Sequence, residues 1–146
     1  DINSRHHVHE MLLEAFYANK LIGALCYSVA ALVFTRDPKN NYKSIICGKK
    51  VTAHPRAWDF TFDLDHSQLY GATQDNQATN VVTPGFLYPL QDLAIDAVGP
   101  NGNVAFAEKA SREKPSVVYD HPFITGCSVE SSIAYANKIV EVLNKL

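Results

Sequence analysis

Leu21 to Leu25 reads Leu-Ile-Gly-Ala-Leu, a run with no polar side chain on either alternating face, and it stops at a cysteine, Cys26. A strand that is apolar on both faces belongs in a parallel sheet covered by helices on its two sides. The flanking segments supply such helices. Between Ser4 and Lys20 the residues Val8, Met11, Leu12, Ala15 and Phe16 follow the i, i+3, i+4, i+7, i+8 spacing of one amphipathic stripe, with Asn3 or Ser4 available as its cap. Val29 to Phe34 is again helical in spacing. Helix, buried strand, helix is the order of α/β proteins, whose ligands sit beyond the C-terminal ends of the parallel strands. Cys26 lies at that end.

Further along, Asp37 to Asn41 is a turn-rich break, and Gly48 to Ala53 reads as a turn entering a second short strand that His54-Pro55 stops. The stretch from Arg56 to Thr83 has no sustained period and is predicted as a long loop. Phe86 to Val98 keeps Leu90, Leu93, Ala94 and Ala97 on one face and is predicted as a helix with Pro89 in its first turn, ended by Gly99 to Gly102. Val117 to Tyr119 and Phe123 to Thr125 read as strands joined across Asp120-His121-Pro122. Ser128 then opens a last helix whose core stripe is Ile133, Ala136, Ile139, Val140 and Leu143. No internal repeat or low-complexity segment is present.

With 47% hydrophobic residues in 146, the chain has material for the core of one domain. Its 13 Lys plus Arg against 15 Asp plus Glu give a formal net charge of -2, and no basic run interleaves with aromatics, which argues against nucleic acid as a partner. No apolar run approaches the roughly 20 residues needed to span a bilayer, so a soluble protein without a membrane partner is expected. Cys26, Cys47 and Cys127 are odd in number and lack CxxC spacing, which speaks against a disulfide framework or a cysteine-rich zinc site and for a reducing, cytoplasmic compartment.

A cysteine between a buried strand and a helix is either packed as a small apolar residue or activated, because the first helix amides favour a thiolate and are able to bind an oxyanion. Other polar groupings carry less. His6, His9 and Glu10 share helical spacings but not the H-E-x-x-H order of metalloproteases, and Asp63, Asp65 and His66 form a compact acidic group with no further ligands placed by sequence. Neither a metal nor a cofactor is expected.

The segment from Leu21 to Leu32 (LIGALCYSVAAL) resembles the nucleophile-elbow segment of the ThiJ/PfpI family, where A-x-C-H-G-P or A-x-C-A-G-P precedes a helix. Residues 48–55 (GKKVTAHP) resemble the G-x-K-V-T-x-H-P strand of ThiJ-type members, and residues 86–93 (FLYPLQDL) stand where the family has a helix like F-L-L-E-D-x-L. Residues 123–132 (FITGCSVESS) resemble L-I-T-G-Q-N-P-x-S-S. Nearly the whole chain is covered in family order.

The resemblance implies a flavodoxin-like α/β fold, a parallel sheet sandwiched by helices, within the class I glutamine amidotransferase-like superfamily. It implies Cys26 as nucleophile, His54 as the histidine that approaches it, and the amides of Tyr27 and Ser28 as oxyanion donors. The pattern is departed from twice: Tyr27 replaces the histidine that many relatives carry after the cysteine, and Ser28-Val29 replaces Gly-Pro. A phenol of pKa about 10 is no base near neutrality.

Family domains also begin with strands that precede this chain's first helix. Residues 1–146 are therefore expected to form the C-terminal part of a single domain, completed by a separate N-terminal chain or segment and associating into an oligomer. The expected function is a cysteine-dependent hydrolase or lyase-like enzyme on a small carbonyl or amide-like substrate. The alternatives are a redox-sensing or stress-response member whose cysteine is not catalytic, and a chaperone-like one.

Overall fold

The computed structural model describes residues 5–56, 88–105 and 113–145. In chain order these form α1 (His6–Tyr17), β1 (Ile22–Leu25), a 3-10 turn over Cys26–Ser28, α2 (Val29–Phe34), β2 (Arg36–Asp37) and β3 (Lys43–Ser44). There follow β4 (Lys50–Thr52), α3 (Leu90–Val98), β5 (Asn103–Ala105), β6 (Val117–Asp120), β7 (Phe123–Gly126), a 3-10 turn over Val129–Ser131, and α4 (Ser132–Leu143).

The apolar run of β1 finds its partner at the far end of the sequence. It pairs in parallel with β7, Ile22 opposite Phe123 and Leu25 opposite Gly126, and β7 pairs on its other side with β6. That second pairing is antiparallel because only His121 and Pro122 separate the two strands, too few residues for a crossover to a parallel neighbour. β4 pairs in parallel with β5. Side chains tie it to β6 and β7: the Lys50 amide donates to Asp120 Oδ2 at 2.7 Å, and the Thr52 amide to Thr125 Oγ1 at 2.8 Å. These two bonds align β4 in the same direction as β7 and β1.

Helices cover both faces. Ile22, Ala24 and Phe123 are buried on one side with α2, α3 and the half-buried Leu12, Leu13 and Phe16 of α1, whose Phe16 ring stacks on Phe123 at 5.8 Å. On the other side Tyr135 of α4 lies over Gly23 and Gly126. The result is a mixed α/β architecture with parallel strands flanked by helices, as in flavodoxin-like folds. Among the described residues no helix is long and apolar enough to cross a membrane.

Several boundaries differ from the pattern-based expectation. The cap of α1 is Arg5, without a side-chain capping bond; Asn3 and Ser4 lie outside the described residues. The helix ends at Tyr17, and Asn19 beyond it lies in the left-handed region at φ 54°, a conformation asparagine tolerates after a helix. Pro89 is the cap of α3 rather than part of its first turn; its carbonyl accepts from the amides of Asp92 and Leu93, so the missing proline N–H costs nothing there. The turn-rich break at Asp37 to Asn41 is flanked by β2 and β3, which pair antiparallel over two residues each. The predicted loop from Arg56 to Thr83 lies, apart from Arg56 itself, outside the described residues.

The largest correction is in α4. Of the expected core stripe only Ile139 faces the sheet, together with Tyr135 and Val142, whereas Ile133, Ala136, Val140 and Leu143 are exposed. Both sets follow helical spacing, and the two glycines opposite select the second. A methyl group at Gly23 would collide with the Tyr135 hydroxyl, and one at Gly126 would come within 2.5 Å of Leu25 Cδ1. Gly23→Ala is therefore expected to lower stability by about 1–3 kcal/mol, the usual cost of overpacking. Tyr135→Phe, which removes the colliding oxygen, should restore part of that loss in the double variant, as read from denaturant midpoints.

Candidate active site

β1 ends where the chain must turn sharply, and Cys26 takes the turn in a left-handed conformation at φ 59°. A side chain in this region costs about 1–2 kcal/mol relative to the right-handed one, so the position is normally left to glycine. Here the turn is held from both sides by Ser28. Its Oγ accepts from the Leu25 amide at 2.7 Å and donates to the Leu25 carbonyl at 2.7 Å. Ser28 thus straps the residue after the cysteine's neighbour back onto the residue before it. Tyr27 and Ser28 provide the first amides following the sulfur, at the start of the short 3-10 turn that leads into the buried α2.

His54 arrives from a separate element. β4 ends at Thr52, Ala53 and Pro55 are buried, and the half-buried His54 between them emerges at the same C-terminal end of the parallel strands as Cys26. Its Nδ1 lies 3.3 Å from Cys26 Sγ. At that distance either a thiol donates to a neutral imidazole or a protonated imidazole donates to a thiolate, so the pair can exchange one proton internally. The Tyr27 ring stacks on the imidazole with centroids 4.4 Å apart and planes inclined by 26°. The structure therefore brings together all four residues singled out in sequence, Cys26, Tyr27, Ser28 and His54. It also adds the Ser28 hydroxyl strap and the Tyr27 ring contact, which no motif signalled.

Other polar groups lie elsewhere. His121, the other histidine in a strand-ending position, sits at the opposite end of β7. Its Nε2 is 2.9 Å from Asn19 Oδ1, and its Nδ1 is 3.3 Å from the Tyr119 hydroxyl. Glu10 is 2.9 Å from His6 and 3.1 Å from His7. The hydrogen bond from His7, with the nearby His6 charge, holds its carboxyl below the usual range. His9 turns away from both and bonds Thr35 Oγ1 at 2.8 Å. Among the described residues no three His, Cys, Asp or Glu side chains converge as a metal site would require; Asp63, Asp65 and His66 lie outside them. Cys127 is fully buried, with Sγ 3.6 Å from Ser128 Oγ, while Cys47 is half-buried like Cys26.

No protein-family model matches the sequence, and no curated protein does. Solved structures do match. The X-ray structure of Rapid Encystment Protein 24 KDa (REP24) from Francisella tularensis superposes over 95% of this chain and 50% of its own, with a TM-score of 0.66 and 24% identity. The crystal structure of APC35852 superposes over 99% of this chain and 54% of its own, with a TM-score of 0.69 and 19% identity. At such identities the likeness is one of fold, and the chain spans about half the length of each of these proteins.

The left-handed turn gives a direct expectation. Cys26→Gly and Cys26→Ala both remove the thiol, but only alanine retains a Cβ at φ 59°. The glycine variant should be the more stable by about 1 kcal/mol in chemical denaturation, the reverse of the usual ranking.

Proposed function

We propose that this chain carries the nucleophile site of a cysteine-dependent enzyme of the ThiJ/PfpI kind, acting on a small carbonyl or amide-like substrate. The observation that supports the reading best is the 3.3 Å approach of His54 Nδ1 to Cys26 Sγ at the end of the parallel strands. Two residues 28 positions apart, on different elements, share one proton-exchange distance where α/β folds bind ligands. In this proposal the whole site draws on further chain beyond these residues, a reading supported by the roughly twofold greater length of the solved structures of the same fold. A complementary N-terminal segment or subunit of the same domain is part of the proposal.

In this reading the Cys26 thiolate adds to the substrate carbonyl carbon. An S–C bond forms as the carbonyl π pair moves onto oxygen, and the amides of Tyr27 and Ser28 are the backbone donors assigned to that oxygen. With an aldehyde, His54 delivers its proton to the alkoxide and leaves a hemithioacetal. With an amide, the tetrahedral adduct collapses with C–N cleavage, the proton from His54 leaves with the amine, and water then hydrolyses the thioester. Tyr27 takes no part in proton transfer.

Reactivity tests the first half of this scheme. Cys26 and Cys47 are both half-buried, so a difference in their alkylation reports thiolate content more than access. Brief iodoacetamide treatment at neutral pH followed by peptide mapping should find Cys26 modified ahead of both Cys47 and Cys127. Equal rates at Cys26 and Cys47 would reduce Cys26 to an ordinary thiol.

Turnover tests the second half. In the complete protein, His54→Gln is expected to lower turnover of an amide substrate, or the rate of hemithioacetal formation with an aldehyde, by roughly 10²–10⁴-fold. Cys26→Ala should do at least as much, and the double variant should lose no more than the worse single one, because nucleophile and proton carrier act as a unit. A Cys26 that is readily alkylated or oxidised in a protein without such turnover would replace the enzyme by a redox-sensing or chaperone-like member of the fold.

A further inference from the structure

Tyr27 stands where the resembled pattern has a histidine or alanine, and neither the nucleophile nor the proton carrier needs a phenol. Its ring nevertheless lies face to face with His54, at 4.4 Å between centroids and 26° between planes. Both side chains are half-buried. We infer that Tyr27 is a positioning residue, whose ring holds the His54 imidazole with Nδ1 on Cys26 Sγ and favours its protonated form.

Two physical effects act together. An imidazole rotates about its Cβ–Cγ bond, and half a turn would exchange Nδ1 for a carbon facing the sulfur. To make that turn the ring must pass through an orientation perpendicular to its present plane, and an aromatic face 4.4 Å away occupies that space. The same face carries the negative side of the ring quadrupole, which attracts a cation within about 6 Å of the centroid. An imidazolium is thus favoured over an imidazole on this side, while the sulfur 3.3 Å away gains from the same proton as a thiolate.

Three neighbouring residues then divide the work of the turn. Cys26 presents the sulfur, Tyr27 fixes the group that faces it, and Ser28 closes the turn from which both project. This inference rests on the proposed pairing of Cys26 with His54 and goes beyond it in giving the Tyr27 ring a role.

Cys26 alkylation by iodoacetamide at neutral pH measures the effect without any substrate. In the complete protein, Tyr27→Leu should slow Cys26 alkylation about 2- to 10-fold, the range a cation–π contact implies. Tyr27→Phe, which keeps the ring and loses only the hydroxyl, should stay within about twofold of the parent. On a His54→Gln background Tyr27→Leu should add nothing. Unchanged rates at Cys47 and Cys127 report an intact fold. Should the leucine variant misfold, Tyr27→Met serves as the aliphatic substitution. The His54 ring proton resonances should in addition move on loss of the aromatic neighbour and hold in Tyr27→Phe.

The inference is overturned if phenylalanine slows the reaction as much as leucine, if neither aliphatic variant slows it, or if the leucine effect persists without His54. A His54→Gln protein that alkylates at the parental rate identifies the Cys26–His54 pair itself as the failure and removes the Tyr27 role with it. A normal His54→Gln loss beside an unaffected Tyr27→Leu protein removes the Tyr27 role alone.

Discussion

The parallel pairing of β1 with β7 is the constraint from which the rest of the described structure follows. It joins residues about a hundred positions apart, Ile22 to Phe123 and Leu25 to Gly126. It dictates what stands on each face: Phe123 and Ile22 turn toward α1 and α2, and the glycines opposite them make room for Tyr135 of α4. It also sets where the candidate site is. Because Leu25 is level with Gly126, the turn at Cys26 opens at the C-terminal end of the pair. The Thr125 side chain accepts from the Thr52 amide of β4, and His54 emerges two residues later at the same end. A one-residue slip in this register would turn every side chain of β1 to the opposite face and point the Cys26 turn away from β4.

How much of this a reader of the sequence can recover depends on whether a segment's environment is written in its own residues. β1 is in part, because its apolar run marks a strand, although only Ile22 and Ala24 are buried and Gly23 on the other face is exposed, and α2 is, because all of Val29 to Val33 is buried. β5 is not: only Val104 of its three residues is buried, so Asn103–Ala105 has too little pattern to be told from a loop. The two-residue strands β2 and β3 are likewise below the length at which alternation can be seen. The stripe in α4 is a different case, because its sequence carries two apolar faces at helical spacing. Which one packs inward is decided by Gly23 and Gly126, neither of them in the helix. Periodicity states that a face exists; its partner states which.

The candidate site divides in the same way. Cys26 is legible as a thiol at a strand end, where it either packs or is activated, whereas His54 is singled out only through the resemblance carried by residues 48–55, because a histidine at a strand end is by itself an ordinary surface residue. The Ser28 strap is a local hydrogen-bond pattern of a kind that serines make in many turns, and the Tyr27 contact joins residues 27 positions apart: the tyrosine from the turn, the histidine from the end of β4. Nothing in either segment alone announces the stacking.

The energetic balance at the turn explains why a non-glycine residue is held there. A left-handed Cys26 costs about 1–2 kcal/mol. Each of the two exposed hydrogen bonds between Ser28 Oγ and the Leu25 backbone contributes at most about 1 kcal/mol. The strain and its compensation are thus of similar size and lie within three residues of each other. The sulfur can therefore be held in a strained orientation without drawing on the core, and the elements behind it are free to be ordinary: an apolar strand, a buried short helix, and a second strand registered by a threonine. What the local turn does not provide is the approach of His54, which depends on β4 staying aligned with β7 through Thr52 and Thr125. The site is accordingly robust in its first half and dependent on tertiary register in its second. Substitutions that disturb the β4 alignment should loosen the Cys26–His54 distance before they disturb the turn that carries the sulfur.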